Sequence, residues 1–124
     1  MRRSIVTLGA IALFVSPAAA KPGDMTLDEF MPVVERLKAK GVLAPFSSEM
    51  KIARREMKGA GEDYRARIDS DKAAGRTAHS CPPEKGSLNS GELLAHLESY
   101  PKSRYASTTV RAVFFDLMAK KYPC

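Results

Sequence analysis

Few residues in this chain have reactive chemistry beyond simple acid–base exchange. Its 124 residues hold two cysteines, Cys81 and Cys124, and two histidines, His79 and His96. His79-x-Cys81 is a short N/S pair, and with Cys124 and His96 elsewhere it has the donor types of a zinc site. A structural zinc site normally brings a second close pair, C-x-x-C or H-x-x-x-H, and the sequence contains neither. No G-x-S-x-G, P-loop, H-E-x-x-H or strand-following G-x-G-x-x-G is present. The two histidines fall in different elements, and their spacing pairs neither with a nucleophile. His96, beside Leu97 on the fringe of an apolar helix face, reads as a structural histidine, and His79 as a loop residue. The expectation is no catalytic residue, no metal and no cofactor.

The amino-terminal residues determine how the cysteines are read. Arg2 and Arg3 precede an apolar stretch from Ile5 to Val15, and Pro17 precedes Ala18-Ala19-Ala20. A basic start, a short apolar run and an A-x-A site are the marks of a secretory signal. Eleven apolar residues fall short of the roughly 20 needed to span a bilayer. Residues 1–20 are therefore expected to be a signal peptide and 21–124 a single domain, periplasmic or secreted. An oxidising compartment favours a Cys81–Cys124 disulfide over free thiols or metal. Such a bridge closes about 44 residues, and the chain-entropy model gives it about 4 kcal/mol of stabilisation.

Charge supplies the other candidate site. The formal net charge is +6; without the first twenty residues and their two arginines it falls to +4 over 104 residues. Lys51, Arg54, Arg55, Lys58 and Arg65 share one side of a helical wheel, whereas Glu49, Glu56 and Asp63, seven apart, share another. Two readings apply: a solvated helix face, or a docking strip for an acidic partner or anionic head groups. Asp63 and Arg67, four apart, are spaced to pair. Nucleic acid is not expected, because the protein is read as exported and no aromatics interleave the basic residues. Tyr100 and Tyr105 bracket the turn Pro101-Lys102-Ser103-Arg104. Together with Phe115, at the edge of the last apolar stripe, Tyr100 and Arg104 form a second candidate contact surface.

The elements that carry these residues read as helices, and no strand alternation is evident. Thr26 with Glu29 forms a capping box, Met25 and Phe30 a staple, and Gly41 a stop. Pro32 should kink this first helix. Val42 to Phe46 is a short apolar connector. Ser47 or Ser48 caps a long segment reaching about Gly75, with Met50, Ala53, Met57, Tyr64 and Ile68 on its apolar stripe. Gly59 and Gly61 interrupt it, so either the helix bends or another element approaches closely. At roughly 42 Å when continuous, it is expected to break or project from the body. Gly75 to Lys85 is a loop. Asn89 with Glu92 opens a helix that Pro101 ends, and a last helix starts at Ser107 or Thr108. The fold class is all-α, a small bundle of about four helices stapled by one disulfide.

The segment from Cys81-Pro82-Pro83 to Tyr122-Pro123-Cys124 resembles an exported family, the immunity proteins that neutralise type VI secretion amidase effectors (Tai-like proteins). The pattern is C-x-P, a polar turn, a capped helix ending before proline, a basic turn, and a helix closing on aromatic–Pro–Cys. Cys81, Pro83, Leu94, Leu97, Pro101, Arg104, Val110, Pro123 and Cys124 match it. The first half departs from the family, lacking its further cysteines and its Gly-Tyr/Gly motif. The resemblance implies a helical periplasmic protein with bonded cysteines, often a homodimer, that inhibits a toxic amidase by binding and performs no catalysis. The alternative is a chaperone-like or envelope-associated helical protein that uses its basic strip on acidic surfaces, a membrane surface among them.

Overall fold

The computed structural model describes residues 20–124, and the signal sequence read in residues 1–20 lies outside the described residues apart from Ala20. Four α-helices carry the fold: α1 (Leu27–Lys40), α2 (Ser48–Ala73), α3 (Ser90–Glu98) and α4 (Val110–Lys121). One 3-10 turn, Gly41–Phe46, joins α1 to α2, and a second, Lys102–Ser107, joins α3 to α4. The all-α expectation holds, and Cys81 and Cys124 are bonded, their Cα atoms 4.8 Å apart.

Local sequence explains most helix starts. The Glu29 carboxylate accepts the Thr26 N–H at 3.2 Å. Ser47 Oγ accepts the Met50 N–H at 3.2 Å, which caps α2. Asn89 and Glu92 exchange both bonds of a capping box, at 2.8 and 3.1 Å. The last helix starts later than expected, since its cap is Thr109, whose Oγ1 accepts from Ala112 N–H. Thr108 is not free to cap it, because its carbonyl accepts the Leu27 N–H from the other end of the chain. α1 runs through Pro32 as one helix. That proline costs one backbone bond, the donor to the Asp28 carbonyl.

Side chains from α1, α3 and α4 share the core, with Ala53 and Met57 of α2 packed against it. Leu27, Phe30 and Val34 pack with Leu97, Val110 and Val113, all buried. Burying one such side chain contributes about 1.5–3 kcal/mol. Residues 21–26 are not a loose tail. After a turn closed by Asp24 N–H to Lys21 O, they lie beside the start of α4, with Val110 N–H donating to Met25 O and Arg111 N–H to Gly23 O, both at 2.9 Å.

This segment also explains Gly59. α2 is unbroken over 26 residues, contrary to the expected break, and the close-approach alternative applies. A Cβ on Gly59 would lie 2.3 Å from the Pro22 carbonyl oxygen, so only glycine lets the segment cross the helix there. The far end of α2 is tied back as well. Asp71, fully buried, accepts from Arg67 and Arg76 Nε and from the His79 N–H. Burial pushes its carboxyl up, but the two guanidiniums and the amide outweigh that and hold it below the usual range.

Candidate functional site

The charges of α2 segregate for a structural reason. At about 100° per residue, Glu49, Glu56 and Asp63 fall on one side of the wheel, the side that meets neighbouring elements. Glu56, 4% exposed, accepts the N–H groups of Gly23 and Met25 at 2.6 and 3.2 Å. Glu49 holds Arg36 and Lys40 of α1 at 3.4 and 2.9 Å. The Lys40 ammonium, with backbone help at the helix start, lowers the Glu49 carboxyl to about 2. Asp63 pairs with Arg111 of α4 at 2.6 Å. Each acid thus fastens α2 to a neighbour. The expected Asp63–Arg67 pair is not formed, because Arg111 takes Asp63 and Asp71 takes Arg67.

The basic side is left facing solvent. Lys51, Arg54, Arg55, Lys58 and Arg65 are all exposed, and from first to last they span about 21 Å of helix axis. Lys58 reaches Glu62 at 3.8 Å, a pair whose side chains are 79% and 62% exposed. Among the described residues no carboxylate lies within 4 Å of Lys51, Arg54, Arg55 or Arg65. Exposed pairs contribute little in any case, so the ridge keeps its positive potential.

Beside this ridge lies a groove of about 730 Å³ between α2, the loop after Cys81, α3 and α4. Met57, Tyr64, Leu88, Leu93, Phe114 and Met118 give it an apolar lining, and Lys58 and Arg65 stand on its α2 side. Gly61 keeps that wall low, since the nearest atom a Cβ would meet is Phe114 Cζ at 3.8 Å. The opposite wall is fixed by the chain terminus. Cys81 N–H donates to Tyr122 O at 2.8 Å, and Lys121 Nζ holds Ser87 O and the Glu92 carboxylate at 2.7 and 2.8 Å. The disulfide therefore anchors the loop that forms one side of the groove. The sequence located the two cations but not this groove. Its apolar residues come from four elements, and no single helical stripe contains them.

The second predicted surface is divided. Tyr100 and Arg104 line a depression of about 440 Å³ with Asp116 and Lys120, and the Arg104 guanidinium lies 5.6 Å from the Tyr100 ring centroid. Tyr100 Oη donates to Asp116 Oδ2 at 3.0 Å, and His96 Nε2 lies 2.9 Å from the same oxygen. Burial first, and the Asp116 charge second, push the Tyr100 phenol up to about 12. Phe115 does not join them. Half-buried rather than exposed, it stacks edge-to-face on Tyr64 and His79, with centroids 5.5 and 5.3 Å away. A rotation of about 100° from Asp116 carries it to another side of α4.

With both sulfurs in the disulfide, the His79-x-Cys81 pair has no thiolate to offer a metal. Among the described residues no group of three His, Cys, Asp or Glu converges as a metal cage. His96 is buried against Asp116 and Tyr100, and His79, half-buried, packs edge-to-face on Tyr64 and Phe115. Comparison with protein-family models, with curated proteins and with solved structures found no match.

Proposed function

We propose that the protein is an exported, non-enzymatic binding protein that inhibits a cell-wall amidase effector by covering its active site. The observation that carries the binding role is the basic ridge of α2, unpaired over most of its length and bordering an apolar groove. An apolar floor with a charged margin has the make-up of a protein interface, in which desolvated contacts supply affinity and rim charges supply steering. The amidase as partner rests on the C-terminal resemblance, and export rests on the reading of residues 1–20.

Titrating the protein against small cell-wall amidases from the same genome, with peptidoglycan cleavage as the readout, tests both parts. Cleavage by one of them should stop at a one-to-one ratio. Arg54→Glu with Lys58→Glu should then weaken binding more than tenfold, which is about 1.4 kcal/mol. Each exposed charge typically contributes about 0.2–1 kcal/mol, and reversal adds repulsion to the loss. If no amidase is inhibited, the partner assignment fails. If affinity is unchanged by the reversals, the ridge is only a solvated helix face.

A further inference from the structure

The connector between α1 and α2 is Gly41-Val42-Leu43-Ala44-Pro45-Phe46, six residues without one polar side chain. Val42 is 90% exposed, Leu43 67% and Phe46 87%, and Ile52, a turn into α2, is 37% exposed. These are the large hydrophobics that stand in solvent among the described residues, and all fall within residues 42–52. Elsewhere apolar bulk is packed away, so a cluster of this kind marks a contact surface.

Its shape and surroundings indicate what the surface meets. With Val42 and Phe46 so fully exposed, the turn stands out from the surface, and none of residues 41–52 lines the groove or the depression. Its end is closed by local bonds: Ser47 N–H and Oγ–H both donate to Ala44 O, at 3.1 and 2.6 Å. Pro45 has no N–H to satisfy. A turn that meets backbone needs internally can leave water cheaply. Lys51 and Arg55 follow on the first two turns of α2, about 5 and 11 Å along the axis from Ser48, sharing an arc of about 100° with Ile52. The nearest acid, Glu49, is turned to Arg36 and Lys40. Glu35 and Glu98 are engaged by Lys38.

We infer that this turn is an interfacial membrane contact: Val42, Leu43 and Phe46 enter the headgroup–acyl boundary of an anionic bilayer while Lys51 and Arg55 meet lipid phosphates. No described helix is long and apolar enough to cross a membrane, so the contact is peripheral. Apolar insertion and basic attraction are each weak alone and act together. The inference shares Lys51 and Arg55 with the ridge but does not rest on the amidase reading, since its apolar residues lie outside the ridge and its test contains no amidase.

Co-sedimentation of the purified protein with vesicles tests it, using three parts phosphatidylglycerol to seven parts phosphatidylcholine, and pure phosphatidylcholine as control. The expected result is at least tenfold stronger partitioning onto the anionic vesicles, declining with salt. Leu43→Ser with Phe46→Ser, and separately Lys51→Glu with Arg55→Glu, should each lower partitioning at least tenfold. Thermal melts should not change, because these side chains already stand in solvent. Parent and variants carry the same amino terminus, so their difference reads the turn alone. Absent binding to anionic vesicles, or equal binding by the serine variant, would overturn the inference. So would sedimentation equilibrium showing a parent dimer that the serine variant dissolves, which would make a second copy the occupant.

Discussion

Gly59 and Gly61 stand two residues apart in one helix, and alanine at each should act with opposite sign. In an exposed helix interior, Gly→Ala stabilises by about 0.5–1 kcal/mol through propensity and the unfolded-state entropy. Gly61 meets that condition, since a new Cβ would touch only Phe114 Cζ at 3.8 Å, an ordinary contact. At Gly59 the Cβ would fall 2.3–2.5 Å from Pro22 O, Cβ and C, most of it backbone that cannot rotate away. Either α2 and the 21–26 segment separate, or the segment lifts. Overpacking of this kind costs about 1–3 kcal/mol. Lifting also removes the Gly23 and Met25 amides from the buried Glu56 carboxylate, and an acceptor left unsatisfied costs about 1–3 kcal/mol more. Set against the helix gain, Gly59→Ala should destabilise by about 3 kcal/mol. For a domain of this size, 1 kcal/mol shifts the melting midpoint by about 4–8 °C. Circular dichroism should therefore show Gly59→Ala melting about 12–24 °C lower and Gly61→Ala melting slightly higher. Amide exchange at Gly23 and Met25 should accelerate in the first variant only. If both alanines shift the midpoint upward, the 21–26 segment does not rest on α2 as described.

Two further outcomes follow from the ties between elements. Reducing the Cys81–Cys124 bridge, or replacing both cysteines with serine, should remove about 4 kcal/mol and lower the midpoint by more than 15 °C, and native protein should show no titratable thiol. Glu49 has its carboxyl lowered from the ordinary 4.5 to about 2, so its ion pairs stabilise the fold fully above pH about 4.5. That stability is lost as pH falls towards 2. Glu49→Gln should flatten denaturation midpoints across that window and leave the salt dependence at pH 7 reduced.

The residues that sequence located well are those whose partners lie within four positions. At Thr26 the Glu29 carboxylate takes the backbone N–H, the Ser47 and Asn89 side chains each accept one nearby, and the apolar stripes of α1 and α4 contribute most of the core. Thr108 was misplaced because its carbonyl is taken by Leu27, far back in the chain. Glu56 and Asp63 read as one side of a solvated wheel, yet both fasten α2 to neighbours, Glu56 from a buried position and Asp63 at the surface. Their partners, the 21–26 amides and Arg111, cannot be found from α2 alone. The sequence left two alternatives at Gly59, and only the position of Pro22 decides between them. For the site, the ridge cations were legible as a pattern, but the groove depends on where the loop after Cys81 comes to lie. The exposed turn did have a local sign: six residues with no polar side chain, read only as a connector.

The docking of residues 21–27 against α4 sets an order of events. Leu27 N–H, Met25 O and Gly23 O find their partners at Thr108, Val110 and Arg111, and the Arg111 guanidinium bonds Pro22 O across 89 positions of chain. The first residues of the domain can settle only when nearly the last have emerged. Contacts so distant in sequence raise the entropic cost of reaching the native state and slow its formation. A chain arriving progressively, amino end first, would remain open until α4 arrives, and the 81–124 crosslink would close after that. Such a protein stays open for as long as its synthesis is incomplete.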